Sequence, residues 1–271
     1  MRMTREPVVA GQFYPGTKAA LAREVGGLAV AKAPRRSVVG IVSPHAGYIY
    51  SGGVAGSVFA SIEPVPVYVI IGPNHTGLGL QFGLSTSRSW KTPLGEVAVD
   101  TALAAAIKKN CAYIKDDDLS HKFEHSIEVQ LPFLQYLQKS FRIVAIIASH
   151  ADLAAYRQVG AAIAKTLKEK GLDGKAVIVA SSDMTHYEPL SSAEKKDDEA
   201  IKAILDLDEE ALLDRVVSSG ITMCGYAPVT IMIAAAKALG ARKAELVKYA
   251  TSGDATGDYS SVVGYAGLVI Y

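Results

Sequence analysis

The sequence predicts an α/β protein in which helices cover both faces of a central, mostly parallel β-sheet, a three-layer αβα sandwich. Two observations predict it. Short runs rich in β-branched residues alternate along the chain with longer helical patterns, as they do in βαβ units. The short runs also lack the alternation of polar and apolar residues that marks half-exposed strands, so they indicate strands buried on both faces.

Each strand is predicted from an apolar run of five residues or more that ends at a turn residue. Between the second and third of these runs, the region 80–99 around Trp90 departs from the pattern and predicts a hairpin or short meander. In chain order, the strands of the main sheet are predicted at residues 38–43, 67–71, 143–148, 176–181, 245–250 and 262–270.

Helices are predicted wherever apolar or small residues recur at helical spacing. The helix from residue 153 has the clearest limits, because Asp152 precedes it and Lys168, Lys170 and Gly171 end it. Pro132 falls inside another helix and predicts a kink or a late start there. In chain order, the helices are predicted at residues 53–62, 101–110, 125–139, 153–169, 193–205, 209–218 and 227–239.

Composition restricts the class of protein. Lys and Arg total 28 against 27 Asp and Glu, and this balance argues against general nucleic-acid binding. No apolar run reaches the roughly 18 residues of a membrane span, and two cysteines suit a reducing compartment. No charge run or Pro/Ser-rich linker divides the chain. We therefore expect one domain over residues 1–271, in a soluble cytoplasmic protein without a membrane partner.

Histidines follow three of the predicted strands. His45 comes after the first strand, His75 after the second, and Asp183 and His186 after the fourth. Because ligands bind beyond the carboxyl ends of parallel strands, we expect these side chains to share one edge of the sheet. Two imidazoles with a carboxylate or a thiolate make a workable set for one first-row transition metal ion.

Several neighbouring residues allow more than one interpretation. Asp183 and His186 could both bind metal, or Asp183 could orient His186 as a general acid or base. Cys224 precedes a helix, where the dipole can lower a thiol pKa, although it could equally be a buried structural cysteine. His125 and Glu128 form either a pocket-facing pair or an ordinary first helical turn.

Other histidines give weaker signals. His121 follows the acidic stretch 116–118 and is expected at the surface. His150 follows the third central strand and is left without a role.

No Walker loop and no G-x-S-x-G, H-E-x-x-H or C-x-x-C motif is present. Five other motifs occur in order along the chain: Pro44-His45-Ala46-Gly47-Tyr48, Gly72-Pro73-Asn74-His75, Glu124-His125-Ser126-Ile127-Glu128, Ser181-Ser182-Asp183 with His186, and Met223-Cys224-Gly225. In this order they resemble the Memo family (mediator of ErbB2-driven cell motility). Its prokaryotic members are called the B protein of the AmmeMemoRadiSam system. The resemblance covers nearly the whole chain.

The resemblance implies a fold like that of the class III extradiol, non-haem iron dioxygenases, the LigB-like group. It implies that His45, His75 and Cys224 bind the metal, with Asp183 and His186 lining the same pocket. It also implies iron or copper rather than zinc, and redox chemistry. A thiolate in place of the dioxygenases' carboxylate ligand would change the potential of an iron ion and could itself be oxidised.

The resemblance also identifies pocket aromatics that would contact substrate. Tyr50 matches a pocket tyrosine of the eukaryotic member, which is described as a phosphopeptide-binding signalling protein. Phe13 replaces that member's pocket tryptophan, so a ring remains but the indole N–H donor is lost.

The leading hypothesis is a mononuclear iron- or copper-dependent oxidoreductase with a dioxygenase-like site. His186, oriented by Asp183, would move a proton, while His125 and Tyr50 would shape the pocket. One alternative is a non-catalytic module that binds a peptide or a small anionic ligand in the same pocket, suggested by the aromatic residues Phe13, Tyr48, Tyr50 and Tyr226. Another is a zinc-type hydrolase that activates water near Asp183.

Overall fold

The computed structural model describes residues 4–30 and 34–271, which build a twelve-stranded sheet and its covering helices. The strands are β1 (Thr4–Arg5), β2 (Gly40–Ser43), β3 (Val67–Pro73), β4 (Phe82–Leu84), β5 (Ser89–Thr92), β6 (Gly95–Val99), β7 (Lys115–Asp116), β8 (Arg142–Ala148), β9 (Ala176–Ser181), β10 (His186–Glu188), β11 (Ala244–Thr251) and β12 (Val262–Ile270). The helices are α1 (Lys18–Leu28), α2 (Tyr48–Ser61), α3 (Thr101–Asn110), α4 (Leu131–Leu137), α5 (Leu153–Glu169), α6 (Leu190–Leu205), α7 (Glu209–Ser218), α8 (Tyr226–Ala238) and α9 (Gly253–Thr256).

The middle of the sheet is parallel, in the order β6-β8-β3-β9-β2. In β3, Ile70 pairs with Ala145 of β8 on one side and with Val179 of β9 on the other. Antiparallel strands flank this centre: β12 joins β2, and the β5–β6 hairpin lies in the region where a meander was predicted. The predicted α/β class with a mostly parallel sheet is confirmed.

Two hydrophobic cores cover the two faces of the sheet. In β3, Val69 and Ile71 belong to the core that includes α3, α5 and α8, whereas Tyr68 and Ile70 belong to the core that includes α1, α2 and α4. All four side chains are almost completely buried, which confirms that this strand is covered on both faces. Helices α5 and α8 approach so closely that a Cβ at Gly160 would lie 2.7 Å from the carbonyl oxygen of Ile231.

Several helices differ from the predictions, including α6, which begins at Leu190 rather than at residue 193. The predicted helix 125–139 is only a 3₁₀ turn at Glu128–Gln130 followed by α4, because Pro132 can occupy only the first turn of a helix. Helix α1 was not predicted. Helix α2 begins five residues earlier than predicted, because its glycines weaken the helical signal in the sequence. One of them, Gly56, is required by the packing, since a Cβ there would lie 2.4 Å from the carbonyl oxygen of Leu28.

His121 is buried rather than at the surface. It is 1% exposed, its Nε2 lies 3.0 Å from the carbonyl oxygen of Gly83, and its ring packs edge-on against Trp90. Burial lowers the pKa of His121 to about 4, so the imidazole is neutral at pH 7. The prediction of a surface position, made from the acidic stretch 116–118, was wrong because the chain becomes buried immediately after that stretch.

We expect His121 to make the protein less stable in mild acid. Below about pH 6.5 the unfolded chain takes up a proton at this residue that the folded chain does not, so stability falls as the pH drops from about 6.5 towards 4. In a His121→Gln variant the slope of the unfolding free energy against pH should decrease by up to roughly 1.4 kcal/mol per pH unit, which is the contribution of one proton. Urea unfolding at a series of pH values, followed by the fluorescence of Trp90, the one tryptophan, measures this slope.

The exposed His150→Gln variant is the matched control for this measurement. A His121→Gln slope equal to that of the parent would contradict the prediction.

Candidate metal centre

The carboxyl ends of the adjacent strands β3, β9 and β2 form the centre of the site. His45 lies two residues beyond β2, and His75 lies two residues beyond β3. Their ring centroids are 5.0 Å apart. Topology thus brings together two imidazoles that are thirty residues apart in sequence.

His125 joins them from the loop that precedes the 3₁₀ turn. One nitrogen from each of His45, His75 and His125 lies within 4.8 Å of the others. Nitrogens bound to one metal ion at about 2.1 Å lie roughly 3–4 Å apart, so small side-chain rotations would complete a site. Three imidazoles suit zinc, copper, iron or nickel, and the donor set therefore fits a first-row transition metal.

A hydrogen-bond chain fixes which nitrogen of His45 is free. The Ser181 hydroxyl donates to the carbonyl oxygen of Ser126 at 2.7 Å, so its oxygen is left to accept from Nδ1–H of His45 at 2.9 Å. The Nε2 lone pair of His45 is then available to a metal. Burial, reinforced by the neighbouring histidines, lowers the pKa of His45 well below its usual range and keeps the ring neutral.

A buried carboxylate orients His75. Oε1 of Glu124 accepts from Nδ1–H of His75 at 2.9 Å, and Oε2 accepts the main-chain N–H of His75 at 2.7 Å. Burial opposes charge on Glu124, but the His75 hydrogen bonds and charge outweigh burial and lower the pKa of Glu124 to about 2. Burial likewise opposes charge on His75, and its bonds to Glu124 raise the pKa of His75, making it a more basic ligand.

His125 was predicted as a catalytic residue, and the structure places it among the possible metal donors. Its ring stacks on His75 with centroids 4.8 Å apart and meets Phe13 edge-on at 4.8 Å. Burial lowers the pKa of His125 to about 4, so it is neutral at pH 7. The sequence signals for this position were its place in a matched motif and its spacing from Glu128.

Cys224 lies beside His45. Its Sγ is 3.2 Å from Nε2 of His45. Among the described residues, however, the donor atoms that all lie within 4.8 Å of one another come from His45, His75 and His125 and do not include this sulfur. Burial and then the charge of Asp183 raise the pKa of Cys224 well above its usual range, which agrees with the alternative of a buried cysteine. Gly225 permits this close packing: a Cβ there would lie 2.3 Å from the carbonyl oxygen of Ser181.

Asp183 lies between β9 and β10, and His186 is the first residue of β10. Asp183 accepts the main-chain N–H of His45 at 2.7 Å, and burial raises the pKa of Asp183 to about 6. Nδ1 of His186 faces the carbonyl oxygens of Met184 at 2.7 Å and Thr222 at 2.9 Å and must donate to them. Main-chain carbonyls, rather than Asp183, therefore orient His186.

A cleft of about 680 Å³ opens beside the three histidines. Phe13 and Tyr50 line it, as do Asp183 and His186. Tyr48 lies outside its lining: it is buried, and its hydroxyl donates to the carbonyl oxygen of Val129.

Tyr226 and His150, which were also considered in the sequence, do not line the cleft. The hydroxyl of Tyr226 contacts Nδ1 of His150 at 3.0 Å.

Sequence comparison agrees with the order of the site motifs. A family model described as Memo-like protein matches residues 5–269. The chain belongs to the Memo family. Its relatives there include MEMO1 family proteins of Methanopyrus kandleri (44% identical, over 98% of this chain and 99% of the other) and Methanococcus maripaludis strain S2 (45% identical, over 99% of this chain and 100% of the other).

Structural comparison also finds a fold similar to that of this Memo-family chain in a protein of low sequence identity. An uncharacterized protein of Escherichia coli K12 superposes with a TM-score of 0.58 at 15% identity, covering 86% of this chain and 99% of the other. At that identity the likeness shows the fold alone. Among the described residues, no helix has both the length and the apolar character needed to cross a membrane.

Proposed function

We propose that this Memo-family chain is a mononuclear metal-dependent redox protein, with one iron or copper ion held by His45 and His75. The observation that carries the proposal is the orientation of the two rings. Each directs its Nδ1–H into a buried acceptor, Ser181 or Glu124, and leaves Nε2 for a metal. Such outer partners are typical of metal-binding histidines.

The third donor is either Cys224, as the family resemblance implies, or His125. The sulfur of Cys224 is 3.2 Å from Nε2 of His45, and a thiolate would favour copper(I), zinc or iron. His125 instead offers an imidazole that is already neutral. With Cys224 as ligand, the metal would have to displace the thiol proton, because burial holds the pKa of Cys224 high.

The remaining residues would handle the substrate in a dioxygenase-like reaction. A bound iron or copper ion would supply electron transfer and Lewis acidity at the inner end of the cleft. His186 would hold or accept a proton at Nε2, since its Nδ1–H is already donated to carbonyl oxygens. Phe13 and Tyr50 would hold the substrate, and Asp183 would fix the main chain of His45.

Anaerobic reconstitution with Fe(II), Cu(I) or Zn(II), followed by metal analysis, tests the proposal. We expect one bound ion per chain, lost in a His45→Ala/His75→Ala variant and retained in the control His150→Ala. Cys224→Ser and His125→Ala then identify the third donor, because only loss of a true ligand should remove the ion. Equal metal content in the parent and the double variant would refute the site.

A zinc-type hydrolase is the second candidate, because three histidines are also a catalytic zinc set. Oxygen uptake that depends on iron or copper would favour the redox function. Hydrolysis of ester or phosphate test compounds, restored by zinc alone, would favour the hydrolase.

A further inference from the structure

A buried carboxylate behind the cleft has no part in the site described above. Asp197 lies on the apolar face of α6, in line with Ala193 and Ile201, and is completely buried. Among the residues that the structure describes, it accepts the main-chain N–H of Thr185 at 2.8 Å and the Tyr249 hydroxyl at 2.7 Å, and no Lys or Arg pairs with it. Burying a carboxylate without a cation is costly, so its place here calls for an explanation.

The charge on Asp197 is linked to His186. Burial raises the pKa of Asp197, whereas the hydrogen bonds from Thr185 and Tyr249 and the charge of a protonated His186 oppose that rise. No hydrogen bond joins the two side chains directly. The connection between them therefore has to run through the main chain.

One peptide group lies between Asp197 and His186. The peptide that joins Met184 to Thr185 donates its N–H to Oδ1 of Asp197 at 2.8 Å. Its carbonyl oxygen accepts Nδ1–H of His186 at 2.7 Å. Because a peptide is planar and trans, its N–H and C=O point in opposite directions, so the carboxylate and the imidazole stand at its two ends. Consecutive hydrogen bonds polarise one another by about 10–30% per bond, so the carboxylate makes this carbonyl a stronger acceptor for Nδ1–H.

Strand β12 holds this peptide in place. The N–H of Met184 donates to the carbonyl oxygen of Gly264 at 2.8 Å, and the N–H of Gly264 donates to the carbonyl oxygen of Thr185 at 2.9 Å. Glycine is required at position 264, because a Cβ there would overlap Oδ2 of Asp197. The peptide therefore cannot turn away from the carboxylate without breaking its pairing with β12.

We propose that Asp197 is a positioning residue for His186 and acts through the peptide between Met184 and Thr185. The carboxylate polarises that peptide, holds the ring proton at Nδ1 and leaves the lone pair of Nε2, on a ring that lines the cleft, to accept a proton. The inference rests on the proposed function only for the use of His186 as a proton carrier, because the contacts named here require no metal.

NMR spectra of the metal-free full chain, labelled with ¹⁵N at histidine, test the inference. Correlations from the carbon-bound ring protons report both ring nitrogens, and hence the ratio of the Nε2–H tautomer to the Nδ1–H tautomer. The signals of His186 are assigned by their loss in His186→Gln. Spectra are recorded above about pH 8, where an ordinary imidazole is neutral. In the parent chain we expect His186 to carry its proton at Nδ1.

Two variants separate the charge of Asp197 from its packing. Asp197→Asn still offers an oxygen to the N–H of Thr185 but removes the charge, so the tautomer ratio of His186 should rise about two- to tenfold, as for one weakened hydrogen bond. Tyr249→Phe removes a donor to the carboxylate and keeps the charge, so the ratio should not rise. Asp198→Asn, one residue along the same helix and exposed, is the matched control and should leave the ratio unchanged.

Three results would overturn the inference. The first is a parent chain in which His186 carries its proton at Nε2, which needs no variant to be seen. The second is a parental ratio in Asp197→Asn, and the third is an equal rise in Asp197→Asn and Tyr249→Phe, which would assign the effect to packing.

Metal content, measured in parallel, keeps this inference apart from the proposed function. Asp197→Asn should bind as much metal as the parent, because Asp197 contacts none of the proposed metal donors. A parent chain that holds no ion, but whose His186 responds as expected, loses the proposed redox function and keeps this inference. A chain that binds the ion, but whose His186 does not respond, keeps the redox function and loses this inference.

Discussion

Replacing Glu128 with glutamine is expected to lower the free energy of unfolding by about 3–5 kcal/mol. Glu128 is fully buried and forms an ion pair with Nη1 of Arg5, itself only 8% exposed, at 2.5 Å. Its two oxygens also accept the Tyr14 hydroxyl at 2.6 Å and the main-chain N–H groups of Val8 and Val9. Glutamine removes the charge that compensates Arg5 and turns an amide NH₂ towards groups that are all donors.

Urea unfolding measured through Trp90 fluorescence gives the loss, and Glu210→Gln is the matched control. Glu210 pairs with Arg157 at 2.9 Å at the surface, where such pairs are worth less than about 1 kcal/mol. A loss in Glu128→Gln as small as that of the control would contradict the prediction. In a double-mutant cycle with Arg5→Met, the two losses should not add, because both remove the same pair.

The same network connects stability to the cleft. Glu128 holds the segment from Arg5 to Tyr14, and Phe13 of that segment lines the cleft and contacts His125. The main-chain oxygen of Phe13 also accepts the N–H of Tyr48 at the start of α2. We therefore expect Glu128→Gln to loosen Phe13 in the wall of the cleft, even at temperatures where the variant remains folded.

Elements fixed by local pattern were predicted well from the sequence. Strands β9 and β12 and helices α3, α5 and α7 have the predicted limits, because their apolar periodicity and end residues lie within the segment itself. The late start of α4 follows from Pro132 within the segment, but the start of α2 was not predicted, because it depends on a distant contact. Gly56 faces Leu28 of α1, and no local pattern can record that approach.

The candidate site, too, could be predicted from the sequence only in part. Parallel topology was enough to predict that His45 and His75 would meet at one edge of the sheet. The groups that orient them were not predicted, because Ser181 is 136 residues from His45 and Glu124 is 49 residues from His75. Local sequence also left the Cys224 thiol pKa open, and burial, which is not recorded in any local pattern, raises it.

Replacing Glu124 with alanine is expected to lower the affinity for the proposed metal ion by about 10- to 100-fold. The carboxylate is 1% exposed and orients His75 through both the ring Nδ1–H and the main-chain N–H. It also accepts the main-chain N–H groups of His125 and Ser126 at 2.8 Å each. Alanine leaves these donors buried without an acceptor, so a loss of several kcal/mol of stability should accompany the loss of affinity.

Glu124→Gln separates orientation from packing. Glutamine can still present one oxygen to Nδ1–H of His75, so it should keep more metal affinity than alanine, although it lacks the charge that makes His75 more basic. Because a metal and a proton compete for Nε2 of His75, the lower basicity should move the onset of metal binding to lower pH in the glutamine variant. A merely structural role for Glu124 would change stability without moving that onset. Competition titrations across pH, with Glu210→Ala as the surface control, measure both effects, and parental affinity in Glu124→Ala would refute the orienting role.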